Sequence, residues 1–132
     1  SNQIALPGGK LEQNESSLEA ALRETYEEIG VKKDKLEHLG KLSDLFISVS
    51  NFLVTPHVFY CEHLPALVPE EREVAKIIHT DIQNIINKDF RKKINIPIKN
   101  FTLNNVPYFD IENEVVWGAT ALILSEFSEI IQ

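Results

Sequence analysis

Three glutamates, Glu24, Glu27 and Glu28, fall at i, i+3 and i+4 in the run Arg23-Glu24-Thr25-Tyr26-Glu27-Glu28. On a helix that spacing puts all three carboxylates on one face. Carboxylates so crowded repel one another unless cations neutralise them, and hard oxygen ligands suit Mg²⁺ or Mn²⁺. Ions held there could bridge to phosphate oxygens, polarise phosphorus and acidify an attacking water. Arg23 could grip one carboxylate through a bidentate pair and so fix its direction. An isolated Glu-x-x-Glu-Glu is more often a plain solvated face. Flanking Gly9 and Gly30, together with Arg23, tip the reading toward chemistry.

The elements that must position these groups can be read from pattern. Ile4-Ala5-Leu6 has the look of a strand end, closed by the breaker Pro7-Gly8-Gly9. A helix is expected over 16–29, where Ser16 and Glu19 form a capping-box signal and Gly30 is a natural stop. Its opposite face, Leu18, Ala21, Leu22, Thr25 and Ile29, should pack on a sheet. Strands are expected over 36–42 and 46–49, while 52–55 and 57–60 read as one long strand or two pieces, with Pro56 suggesting an edge or a bulge. After a loop containing Pro65 and Pro69, another strand is expected over 74–79, and Thr80 should cap a short helix through Asn87. Segments 92–98 and 106–111 read as extended, and Glu112-Asn113-Glu114 suits a hairpin turn into Val115-Val116-Trp117. A last helix is expected over 119–130, burying Leu122, Leu124, Phe127 and Ile130. Strands on both sides of a charged helix, closed by a C-terminal helix, make an α+β layered domain.

Residues 9–31 resemble the signature of the Nudix hydrolases. Gly9, Glu15, Arg23, Glu24, Glu27, Glu28, Gly30 and Val31 match it at the right spacing, and only Thr25 stands where an aliphatic residue is usual. The resemblance implies a Nudix fold, an α/β/α sandwich with a mixed sheet, over a single domain spanning 1–132. It implies metal ligation by Glu24, Glu27 and Glu28 with the Gly9 carbonyl, support from Glu15, and orientation of Glu24 by Arg23. Family members place one or two strands before the box. Here there is room only for the end of one, and the chain contains no methionine, so the N-terminal strands are expected to be missing.

Outside the box, three segments look like the coenzyme A diphosphatase branch. They are Leu6-Pro7-Gly8-Gly9-Lys10, the stretch from Val49 to Pro56, and Val116-Trp117-Gly118-Ala119-Thr120-Ala121. The implied reaction is hydrolysis of coenzyme A or an acyl-coenzyme A to phosphopantetheine (or its acyl form) and adenosine 3′,5′-bisphosphate. Alternatives are a Nudix hydrolase for ADP-ribose, dinucleotides or nucleoside triphosphates, and a nucleotide-binding regulatory module without turnover. The attacking water needs a base; Glu73, before Val74, is the first candidate, with Glu70 and Glu71 as rivals. Arg91, Lys92 and Lys93 could meet an extra 3′-phosphate, although a short basic run is usually solvated surface. The resemblance also allows a homodimer.

Composition narrows the partners. A net charge of −7 argues against a non-specific grip on nucleic acid, which needs a basic face, but not against a phosphate substrate bridged by cations. Hydrophobic residues at 43% and charged ones at 25% read as soluble and globular, with no apolar run fit to span a membrane. A single cysteine, Cys61, excludes an internal disulfide and suits a reducing compartment, so a cytoplasmic location is expected. Cys61 reads as a small buried hydrophobe and Trp117 as a core anchor. His38, His57, His63 and His79 lack metal-ligand spacing, and no Ser-His-Asp or Cys-His arrangement is evident.

Overall fold

The computed structural model describes residues 3–86 and 91–132. They form two compact units: Leu6–Ile77, and Ile78–Gln132 joined by the segment Ser1–Ala5.

In the first unit, helix α1 spans Ser17–Ile29. Its start is set by Ser16, whose hydroxyl accepts from the Glu19 amide while the Glu19 carboxylate accepts from the Ser16 amide. This reciprocal pair satisfies two of the amides that a helix start leaves open. Its end is set by Gly30, left-handed at φ 75°, whose amide donates to the Tyr26 carbonyl. Of the apolar face, Leu18, Ala21, Leu22, Thr25 and Ile29 are half-buried, while Ala20 is the one helix residue fully buried. Thr25 turns its hydroxyl back onto the Ala21 carbonyl, so its methyl is what remains for packing.

A 3₁₀ turn, Lys33–Lys35, leads into β1 (Glu37–Lys41), followed by β2 (Leu45–Ile47), β3 (Phe52–Val54) and β4 (His57–Tyr60). β1 pairs antiparallel with β4, and β2 with β3. Pro56 divides the long apolar stretch into two pieces with different partners, its carbonyl accepting from the Leu42 amide. Two expected strands are not formed. Segment 74–79 and Ile4-Ala5-Leu6 are irregular, since neither finds a neighbouring chain to pair with among the described residues. A strand without a ladder partner has no reason to hold extended geometry.

The second unit contains α2 (Gln83–Ile86), β5 (Arg91–Ile98), β6 (Phe101–Ile111), β7 (Glu114–Val116) and α3 (Gly118–Ile131). The sheet order is β5-β6-β7, all antiparallel. Glu112 and Asn113 both take positive φ, the two-residue turn whose twist suits a hairpin. Asp81, rather than Thr80, caps α2 by accepting from the Gln83 amide; Thr80 instead links Asn84 to Glu112. Asn87, the expected end of that helix, lies outside the described residues.

The core of this unit is Ile85, Phe109, Ile111, Val116 and Ala121, with Ile4, Ile78 and Leu124 packed against it. The buried side of α3 differs from expectation. Ala121 and Ser128 are buried, while Leu122 and Ile130 are 61% and 63% exposed. Leu122 shares its side of α3 with Ser125, Glu126 and Glu129, three, four and seven residues on, which is the polar side of the helix. Small residues at 121 and 128, with Leu124 between them, allow the closer approach. No helix among the described residues is long and apolar enough to cross a membrane.

Candidate functional site

The site is built on α1 and on the two chain segments that flank it, 8–15 and 68–73. Arg23 is its hub. Its Nε donates to Glu15 Oε2 at 2.7 Å and its Nη2 to Glu15 Oε1 at 3.0 Å, a two-pronged grip. Its Nη1 donates to Glu24 Oε1 at 2.7 Å and to Glu27 Oε2 at 3.1 Å, and its Nη2 reaches the Lys10 carbonyl at 3.0 Å. Glu12 adds a looser ion pair at 3.5 Å. A planar guanidinium can serve this many acceptors because its donors point outward in a fixed fork. Hydrogen bonding to Arg23, first of all, holds the Glu15 carboxyl below its ordinary range, and the same bond raises Arg23 further above its own.

Gly9 lies against this cluster. A Cβ there would stand 2.6 Å from Glu24 Oε2 and 2.8 Å from its carboxyl carbon, so a larger residue would displace the Glu24 carboxylate from where it now lies. The neighbouring Gly8 amide donates to Glu28 Oε2 at 3.0 Å. Glu28 is half-buried, and its carboxyl is pushed up from 4.5 to about 7. Burial is the main cause, with the negative charges of Glu24 and Glu73 adding to it and the Gly8 amide working against it.

The segment 68–73 is tied to the end of α1: the Val68 and Glu70 amides donate to the Ile29 and Glu28 carbonyls. The turn is tightened by the Glu70 carboxylate, which accepts from the Arg72 and Glu73 amides. A cavity of about 350 Å³ is lined by Glu24, Glu27, Glu70, Arg72 and Glu73. Glu73 thus sits in a turn rather than at the head of a strand.

The structure brings Arg23, Glu24 and Glu27 into one bonded cluster with Glu15, and places Gly9 against the Glu24 carboxylate. It sets Glu28 on Gly8 and puts Glu73 on the wall of the cavity. Among the described residues, no three His, Cys, Asp or Glu side chains stand ready-grouped as a cation site. Glu24 and Glu27 are turned to Arg23, and Glu28 to Gly8. Three contributors were missed by sequence reasoning: the Gly8 amide and the Lys10 carbonyl, which are backbone groups, and Arg72, which lacks any local motif.

Two of the three cations in the basic run at 91–93 are engaged within the fold. Arg91 donates to Ser128 Oγ at 2.6 Å and lies over the Phe109 ring, and Lys92 pairs with Asp110 at 3.4 Å. Cys61 is half-buried, its thiol donating to the His63 carbonyl.

A NUDIX domain profile matches residues 1–95, which include every residue of this cluster. The chain belongs to the Nudix family. Its α+β Nudix fold follows, as the sequence of residues 9–31 led us to expect. The Nudix chain is 34% identical over 111 residues to "Nudix hydrolase 3" of Caenorhabditis elegans, covering 82% of this chain and 45% of that one. It is 28% identical over 131 residues to "Uncharacterized Nudix hydrolase NudL" of Photorhabdus laumondii, covering 98% and 69%. A protein of the same description from Yersinia pestis is 31% identical over 132 residues, covering 96% and 63%. The chain therefore spans between about half and two thirds of the length of these relatives.

Proposed function

We propose that the protein is a Mg²⁺- or Mn²⁺-dependent hydrolase of the diphosphate bond in a nucleoside-diphosphate derivative, with coenzyme A or an acyl-coenzyme A as its preferred substrate. The observation that carries this reading is the Arg23 hub on α1, which orders Glu15, Glu24 and Glu27, with Gly9 close against the Glu24 carboxylate.

The donor chemistry fits a hard divalent cation: every candidate ligand is an oxygen, and Glu28, pushed up to about 7 by burial first and then by the neighbouring Glu24 and Glu73, would be relieved of its proton by a bound cation. Glu24, Glu27 and Glu28, with the Gly9 carbonyl, would hold the ion. When bound, it supplies positive charge to the diphosphate oxygens and makes the attacking water more acidic. Arg23 is a positioning residue that keeps Glu24 and Glu27 from swinging away as the cation exchanges.

Glu73 would take the proton of the attacking water. Of the three acids in its segment, Glu70 is committed to two backbone amides and Glu71 does not line the cavity. Arg72 adds a cation to an otherwise acidic wall, where it would meet a phosphate oxygen. The two nearest supports for hydrolysis are the intact set of box carboxylates and relatives described as Nudix hydrolases. The coenzyme A preference rests on the segments 6–10, 49–56 and 116–121.

The test is Mg²⁺-dependent turnover by the protein of coenzyme A, ADP-ribose, NADH and a diadenosine polyphosphate in parallel. Release of adenosine 3′,5′-bisphosphate faster than any other product, abolished by chelator, is expected. Preference for another diphosphate would overturn the substrate and keep the chemistry; tight binding without turnover would make the protein a ligand-binding module.

A further inference from the structure

Ser17, His57 and His38 form a hydrogen-bonded chain that the diphosphatase chemistry does not use. Ser17 Oγ lies 2.8 Å from His57 Nε2, and His57 Nδ1 lies 3.0 Å from His38 Nε2. The three residues come from the first turn of α1, from β4 and from β1; in the antiparallel β1–β4 pairing His38 stands opposite Phe59 and His57 opposite Lys41, so the two histidines are diagonal neighbours. Phe59 lies against both rings, at 5.3 Å from His38 and 6.5 Å from His57. This is the order of a nucleophile, a base and a group that orients the base.

We propose that Ser17 is a nucleophile, activated by His57, that accepts acyl groups from activated esters at a second reactive site on this chain. One of the two self-consistent proton arrangements has Ser17 donating to His57 Nε2 and His57 Nδ1–H donating to His38 Nε2. In that arrangement the Ser17 oxygen attacks the acyl carbon, its proton passes to His57 Nε2, and the departing alcohol or phenol takes that proton away. Water then attacks the acyl-serine with His57 as base, releasing the acid and restoring the hydroxyl.

Three features support the assignment. Ser17 and His57 are half-buried and His38 exposed, so a small ester can reach them. Burial, then the neighbouring His38 and Lys41, hold His57 below its ordinary range against the pull of Asp44, so the ring is neutral near pH 7. The capping hydroxyl of Ser16 is spent on the Glu19 amide, and among the described residues nothing accepts from the Ser17 and Leu18 amides. Those two donors belong to the nucleophile itself and to the residue after it, and backbone N–H groups of this kind can stabilise an oxyanion.

The experiment is labelling of the protein by a fluorophosphonate probe and by p-nitrophenyl acetate, with the modified residue located by mass spectrometry. Labelling at Ser17 is expected, unaffected by chelator and absent in Ser17→Ala. His57→Gln should slow it by about 100-fold or more. His38 is a positioning residue, so His38→Gln, which keeps an acceptor, should retain most of the rate that His38→Ala loses. Should His57→Gln fail to fold, the His38 pair at an exposed position still decides. Absence of labelling, labelling elsewhere, or equal rates in His38→Gln and His38→Ala would each overturn the proposal.

Discussion

Replacing Glu28 by Gln should make the metal-free protein more stable above neutral pH while abolishing its turnover. The carboxyl is pushed up from 4.5 to about 7. A group whose pKa is higher in the folded state favours folding while protonated. That contribution is complete below 4.5 and is lost as pH rises through about 7. The full shift would correspond to about 3 kcal/mol. Because Glu28 is only half-buried, solvent screening reduces this to on the order of 1–2 kcal/mol.

Gln at this position keeps an oxygen for the Gly8 amide and offers an N–H to Glu24, yet never carries charge. In urea titrations without metal, Glu28→Gln should therefore exceed the parent by about 1–2 kcal/mol at pH 8. The two proteins should converge as pH falls toward 4.5. Saturating Mg²⁺ should reverse the order at pH 8, because the cation takes the place of the proton only where there is a carboxylate to receive it. A difference that does not vary with pH, or a Mg²⁺ effect equal in both proteins, would refute the reasoning.

Other expectations are as direct. Gly9→Ala places a Cβ 2.6 Å from Glu24 Oε2; the carboxylate is the end of a flexible chain and will move by roughly 1 Å, so turnover should fall ~100-fold with little change in Tm. Glu73→Gln should lower kcat by about 100-fold or more without weakening metal binding, whereas Glu70→Gln should keep most activity; the opposite pattern in a steady-state assay would exchange their roles. Ser16→Ala removes the α1 cap and should cost about 1 kcal/mol by thermal denaturation, with metal affinity reduced only through the frayed first turn.

What was legible in the sequence was what local chemistry decides. The limits of α1 could be read because Ser16, Glu19 and Gly30 act within one turn of themselves, and the hairpin at 112–113 because two successive residues must accept positive φ. Clustering of Arg23 with Glu27 follows from their i, i+4 spacing, whereas its bond to the adjacent Glu24 does not follow from spacing.

What depended on distant partners was not legible. Segments 4–6 and 74–79 carry strand-like residues but lack a ladder neighbour. Leu122, by contrast, is as apolar as Leu124, and its place beside Ser125, Glu126 and Glu129 on the polar side of α3 was a legible signal that the expectation passed over. Arg91 looked like free basic surface until its partner Ser128, 37 residues on, came into view. The Ser17–His57–His38 chain joins residues 40 and 19 positions apart, and only the fold could reveal it.

The central claim is that the α1 carboxylates hold a divalent cation, and Mn²⁺ titration followed by electron paramagnetic resonance tests it most directly. The account predicts that the protein removes free Mn²⁺ from solution, with Mg²⁺ competing, and that Glu28→Gln and Glu27→Gln weaken this by at least ~10-fold. Mn²⁺ that stays free, or that binds equally well to both variants, would contradict it.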